Sequence, residues 1–506
     1  MLFNSYVFIA AFLPLTLGGF ALAGRFGPFA AVLWLVTASL FFYGWWNPPF
    51  VVLLLGSMAG NYAASRLILR LAPRPQRQRS VLAVAIAANL SALFWCKYLA
   101  ALLGFLRLHG IADVPIADPI LPLGISFFTF TQLGYLIDCQ QGQAQERSLP
   151  HYALFVTFFP HLIAGPILHH REMMPQFADP SVWRLRADSI AVGSAIFVIG
   201  LLKKTLLADP LAPIASAGYA HPEALTCFPA WHAALAYSLQ LYFDFSGYSD
   251  MAIGLARMFN IRFPINFNSP YRAESVIDYW QRWHMTLTRW LTLYLYNPLA
   301  LSIVRRRAAR GLPIDRAARA TSRGFAAMVA WPTMVTIGLA GVWHGSGLTF
   351  LVFGLLHGVY LCINHAWRLW RPGARSAARG AVVARVALTY GCVLLGSVFF
   401  RAPSVGAAGS MLSGMLGWHG VDVVPPAPRD VLDLLWLIAL YAIVWGAPNT
   451  QQIMRDHAPA LGRIAAGPLP RLAWQPSLPW AVACGGAAAL ALLSIGGTGE
   501  FLYYRF

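Results

Sequence analysis

The residues best suited to chemistry in this chain are two histidines. His344 lies in "GLAGVWHGSGLTF" (338–350), and no Asp, Glu, Lys or Arg occurs between Arg323 and Arg368. Desolvation penalises a charged imidazole, so a ring in such company stays neutral and is available as a base. Acyl transfer needs a base of this kind to take the proton from an alcohol. Gly341, Gly345 and Gly347 permit either a tight turn or close approach of a substrate to the backbone. Packing as a satisfied core residue is the other reading of His344. The second histidine, His284, lies in "SVIDYWQRWHMTLTRWLTLYLYNPL" (275–299). At helical spacing Trp280, Trp283, Leu287, Trp290 and Leu291 form one apolar face suited to a membrane interface. Asp278, Arg282 and Arg289 fall opposite, with Asp278 and Arg282 paired at i,i+4. Gln281, His284 and Thr288 make a third, polar stripe. The segment is therefore either an interfacial amphipathic helix or one that turns His284 into a cavity shared with His344.

Two carboxylates, Asp244 and Asp250, sit in the apolar "LYFDFSGYSDMAIGLA" (241–256). A charge at the bilayer centre costs about 2.5–3.5 kcal/mol on insertion scales, so each should have a partner. Ser246 and Ser249 are the hydrogen-bonding neighbours, and Arg272 or Arg282 the expected counter-charges. "FFPHLIAGPILHHREMMPQF" (158–177) sets His161 near a Gly165–Pro166 break and ends in the pair His169–His170. Adjacent histidines lack the helical H-x3-H spacing, so no metal site is assigned. The six scattered cysteines show no metal spacing and read as buried free thiols. There is no nucleophile elbow, phosphate-cradling loop, zinc signature or dinucleotide fingerprint.

These residues must be held by membrane helices. The 506 residues are 58% hydrophobic and 11% charged, with mean hydropathy +0.58, against about 25% charged in soluble domains. Apolar segments of about 20 residues recur, too long and uniform for barrel strands. The expected fold class is an all-α polytopic membrane protein. Its net charge of +18 is gathered in segments 70–79, 305–323 and 368–385, which is the positive-inside pattern of cytoplasmic loops and not a nucleic-acid surface. Spans are expected near 3–23, 28–46, 50–69, 80–108, 150–168, 188–207, 229–258, 325–342, 346–366, 383–400, 431–447 and 480–497, roughly 10 to 12 crossings. The first is read as retained, since no Lys or Arg precedes its apolar core. "PILPLGISFFTFTQLGYLID" (119–138) suits a broken or re-entrant helix lining a cavity, and "VDVVPPAPRD" (421–430) an exposed loop. With both flanking basic loops inside, 325–366 is a helical hairpin with His344 at its turn.

The blocks "FPHLIAGPI" (159–167), "DFSGYSDMAIGLARMFNIRFPINFNSPY" (244–271), "DYWQRWHMTLTRWL" (278–291), "GVWHGSGLTFLVFGLLHG" (341–358) and "FLYYRF" (501–506) closely resemble the membrane-bound O-acyltransferase family. The nearest branch is the bacterial one of alginate O-acetylase and related peptidoglycan and cellulose acetylation proteins. The resemblance runs from "YGWWNPPF" (43–50) to the last residue. It implies one membrane domain over 1–506, with a motif-bearing core near 119–367 and C-terminal spans near 383–506. About 11 transmembrane helices, with re-entrant or interfacial ones, would surround a central funnel. By the same resemblance His344 is the essential histidine and His284 the second invariant one, with Trp343, Asp278, Gln281, Arg282, Asp244 and His357 lining or positioning the substrate tunnel. Tyr503 is the candidate acyl carrier, against a plain role as an interfacial aromatic. The implied donor substrate is acetyl-CoA or another acyl thioester, with no bound cofactor. The implied partners are a periplasmic acetyltransferase-type protein, membrane lipid and an exported polysaccharide as acceptor, in the bacterial inner membrane. Two other readings of the same residues are a transporter or flippase, which predicts paired broken helices in two related halves, and a non-catalytic scaffold, which predicts that His344 is dispensable.

Overall fold

A computed structural model of the chain describes residues 1–111, 121–371, 373, 378–421, 428–462, 464–496 and 502. Among these residues the structure is helical and without strands. Six helices are long and apolar enough to cross a membrane: Pro49–Arg70, Pro75–Lys97, Ala187–Ala220, Ser322–His344, Leu348–Trp370 and Arg379–Arg401. Five shorter apolar helices, Phe8–Ala23, Pro28–Gly44, Leu99–Leu108, Val431–Gly446 and Leu478–Leu493, accompany them. The polytopic all-α expectation is met. Of the loop expected at 421–430, residues 422–427 lie outside the described residues and 428–430 begin the Pro428–Gly446 helix; the tail "FLYYRF" apart from Leu502, and Tyr503 with it, also lies outside them.

The chain forms two compact units. One comprises Met1–Leu206, Phe245–Ile265 and the described residues from Thr450 onward; the other comprises Leu207–Asp244 and Asn266–Asn449. In the first, an aromatic core gathers rings far apart in sequence, with Phe3 on Tyr248 at 4.8 Å and Phe12 edge-on to Phe159 at 5.3 Å. Here the Ala187–Leu202 helix meets the Cys227–Met258 helix backbone to backbone. A Cβ on Gly193 would stand 2.5 Å from the Gly254 carbonyl oxygen, and one on Gly200 2.6 Å from that of Gly247. Glycines at matching seven-residue spacing thus make the flat seam that membrane helices need for dispersion contact. Two expected spans are broken. The 150–168 segment is split into Leu149–Thr157 and Phe159–Leu162, with Pro160 just after the break, and 80–108 is split at Tyr98. Within 121–138 the helix starts only at Ile125, after a left-handed Gly124 (φ 72°) where a Cβ would stand 2.6 Å from the Leu162 carbonyl oxygen.

The second unit is built on the expected hairpin. Trp331–His344 and Leu348–Trp370 pack against each other along their length. Their contact needs glycine: a Cβ on Gly341 would lie 2.8 Å from the Gly354 Cα, and one on Gly354 2.6 Å from the Ile337 carbonyl oxygen. Gly345 is not in a left-handed conformation; its missing side chain makes room for the Phe350 ring, 2.2 Å from where a Cβ would sit. Gly341, Gly345 and Gly354 thus allow close packing in the hairpin, whereas a Cβ on Gly347 would meet only ordinary contacts. The Val276–Trp280 helix lies across the hairpin's second arm and against the Arg379–Arg401 helix.

Candidate active site

The expected single helix over 275–299 does not form. It is interrupted between Val276–Trp280 and Met285–Leu291, and His284 occupies the break with φ 44° and ψ 51°. A left-handed backbone at a residue with a Cβ costs about 1–3 kcal/mol and persists only where its surroundings hold it. Those surroundings are the 266–268 segment. Asn268 N–H donates to the Arg282 carbonyl at 2.9 Å, and Met285 N–H donates to the Asn266 carbonyl at 2.9 Å. The Asn266 side-chain oxygen then accepts from His284 Nδ1 (3.1 Å), the Thr286 hydroxyl (2.9 Å) and the Thr286 N–H (3.3 Å). An acceptor on Nδ1 fixes the tautomer: Nδ1 carries the hydrogen and Nε2 the lone pair.

The break also redirects the tryptophans. Trp280, Trp283 and Trp290 are buried, not laid along a membrane interface. Trp283 stacks on Tyr279 (5.7 Å) and on Tyr271 (6.3 Å). Gln281 is exposed, so the polar stripe expected to join it to buried His284 is absent. Asp278 and Arg282 do pair, at 2.8 Å, and Asp278 also accepts the Glu274 N–H at 3.2 Å. The pair links the Val276–Trp280 helix to Arg282, two residues before His284.

Trp343 joins the two histidines. Its indole lies 6.5 Å from the His284 ring and 4.9 Å from the His344 ring, centroid to centroid. His344 is the last residue of its helix, 7% exposed, with Phe400 at 5.1 Å and Phe353 at 6.2 Å on its other sides. His357 continues the wall, 4.6 Å from Phe353 and edge-on to Trp280 at 5.4 Å. It is 1% exposed, and neither of its ring nitrogens has a hydrogen-bond partner. Two imidazoles beside one indole, with Phe353 and Phe400 against His344, are groups that can accept a proton or a hydrogen bond. A charged group would be costly there.

The remaining expected residues have other surroundings. Asp244 is buried near the middle of the Cys227–Met258 helix. Asp250 is answered neither by Arg272 nor by Arg282. Its carboxylate takes the Lys203 ammonium at 2.6 Å, the Thr450 hydroxyl at 2.6 Å and the Gln451 amide at 3.0 Å. Arg272 instead donates to the carbonyls of Val444 (3.0 Å) and Ala447. His161 is buried and satisfied by the Phe155 carbonyl at 2.9 Å. His169 and His170 both face Asp138, at 3.1 and 3.0 Å. The cysteines are free thiols, with Cys139 fully buried. Asn266, Phe353 and Phe400 were not expected. The only sequence signal for Asn266 is a polar side chain within the aromatic "RFPINFNSPY" (262–271).

Residues 81–312 match the family profile described as MBOAT, membrane-bound O-acyltransferase family. A peptidoglycan O-acetyltransferase of Helicobacter pylori is 39% identical over 84% of this chain and 81% of its own length. A protein described as a probable alginate O-acetylase of Azotobacter vinelandii is 34% identical over 88% of this chain and 84% of its own. More distantly, a teichoic acid D-alanyltransferase of Bacillus subtilis is 25% identical over 55% of this chain and 68% of its own.

Proposed function

Because the chain belongs to the membrane-bound O-acyltransferase family, we propose that it moves an acetyl group from a cytoplasmic thioester, acetyl-CoA or a species charged from it, to a hydroxyl of an exported polysaccharide. The observation that carries this reading is the packing of His284 and His344 about Trp343 in one buried, aromatic wall. His344 is the general base. Its neutral ring takes the proton of the acceptor hydroxyl as that oxygen attacks the thioester carbonyl carbon; the tetrahedral intermediate then collapses, the C–S bond breaks, and the departing sulfur recovers the proton. His284, with Nδ1 held by Asn266, accepts a hydrogen bond at Nε2 and so positions a reacting partner. Trp343 and His357 wall the path, Asp278 and Arg282 fix the helix before His284, and Asp244 is a positioning group at membrane depth.

The donor side is proposed to be the cytoplasm of a bacterial inner membrane, a reading the arginine-rich loops support, with a periplasmic acetyltransferase-type partner completing transfer. Support for a glycan acceptor comes from the relatives named for peptidoglycan and alginate acetylation. The deciding experiment compares cells carrying the native chain or His344→Ala at equal membrane abundance. Ester-linked acyl groups are released from each exported glycan by mild alkali and identified by mass spectrometry. Loss of acetyl from one glycan, by about 100-fold or more as expected for a missing general base, names donor group and acceptor together. Unchanged esters would end the assignment. Tyr503 is proposed as an acyl carrier between His344 and the partner, and equal glycan acetylation in Tyr503→Phe would refute that relay.

A further inference from the structure

The unit formed by Met1–Leu206, Phe245–Ile265 and the residues from Thr450 holds a second histidine cluster. Asp138 sits near the end of the Ile125–Gln140 helix, and His169 and His170 sit at the start of the His170–Ala178 helix. One carboxylate oxygen of Asp138 lies 3.1 Å from His169 Nε2 and 3.0 Å from His170 Nδ1, and the three ligand atoms fall within 4.8 Å of one another. Asp138 is 2% exposed and His170 5%.

The hydrogen bonds set the protonation problem. His170 Nε2 stands 3.1 Å from the Gln143 carbonyl, an acceptor only, so Nε2 carries a hydrogen. In the neutral ring Nδ1 is then a lone pair directed at a carboxylate oxygen 3.0 Å away, and it makes no hydrogen bond there. A metal cation between the two atoms would satisfy both. Around a tetrahedral zinc with bonds of about 2.0–2.1 Å, ligand atoms stand about 3.3 Å apart, close to the distances seen. Two imidazoles with one carboxylate suit a zinc-class divalent ion and leave a fourth position for water. The His169 side chain, 15% exposed, gives that position its access.

We propose that Asp138, His169 and His170 bind one zinc-class divalent cation, which fastens the start of one helix to the end of another. Ligation through His169 Nε2 moves that ring's hydrogen to Nδ1, exchanging the Arg171 N–H contact at 3.3 Å and the direct Nε2 contact with Asp138 at 3.1 Å for bonds to the metal.

The test uses the full chain without a histidine tag, purified in detergent and stripped with EDTA. Cobalt(II) titration should give the visible absorption of tetrahedral cobalt, saturating at a single equivalent and abolished by zinc. Zinc alone should raise Tm. His169→Ala and Asp138→Asn should each remove the cobalt band. No saturable band in the native chain would overturn the proposal. A band unchanged in both variants would overturn it equally, by placing the metal elsewhere. Because the native chain is titrated by itself, a variant that does not fold still leaves the proposal open to refutation.

Discussion

Two regions bury polar groups among apolar side chains, and they do so in opposite ways. Around Asp250 every contact is closed: an ammonium, a hydroxyl and an amide converge on one carboxylate at 2.6–3.0 Å. Around Trp343 the polar groups are imidazoles set against rings, and His357 lies fully buried with both nitrogens unpartnered. A closed network over-determines a fold. An open one costs stability and is retained where something else completes it. By this contrast Asp250 belongs to the closed kind and His357 to the open kind, although both are polar groups in apolar helices.

The largest effect should come from breaking the closed region. Asp250→Ala leaves the partly buried Lys203, the Thr450 hydroxyl and the Gln451 amide without their shared acceptor, a loss of at most about 3–5 kcal/mol, to be measured as a fall in Tm and in membrane abundance. Adding Lys203→Met should recover most of it, and acetylation per folded molecule should survive in the double variant. A double variant that is folded but inactive would move Asp250 into the functional class and dissolve the contrast.

In the open region the sign should reverse. His357→Leu removes a buried imidazole whose nitrogens have no partner, so stability should rise by about 1–3 kcal/mol, while activity falls if the ring meets substrate. Thermal unfolding in detergent and glycan ester content, measured on the same preparations, separate the two. Lower stability would mean that His357 is an ordinary packing residue and that openness is no guide to function here.

Much of this was legible in the sequence, for definite reasons. The hairpin bearing His344 was, because a stretch without charge between two arginine-rich loops has few other ways to fold. The break at His284 was not. Helical periodicity records which side chains share a face, but it cannot see the 266–268 segment competing for the backbone of residues 282–286. Lys203 was missed as the partner of Asp250 because it comes from another helix, and Asp138 was missed as the third member of the His169–His170 cluster for the same reason. Long-range pairing leaves no spacing to read.

The smallest effect tests how the site is held. Asp278 and Arg282 are 27% and 33% exposed, and an i,i+4 pair of that kind contributes only about 0.3–0.5 kcal/mol. If the left-handed turn at His284 is set by Asn266 and the 266–268 backbone, Arg282→Ala should lower acetylation by no more than about twofold. That small loss should shrink further at high salt, where the native pair is itself screened. The measurement is initial rate against ionic strength for both proteins. A loss of tenfold or more that persists in high salt would place the control of His284 in the five-residue Val276–Trp280 helix. It would then be the ion pair, and not the Asn266 contact, that keeps the imidazole in register with Trp343.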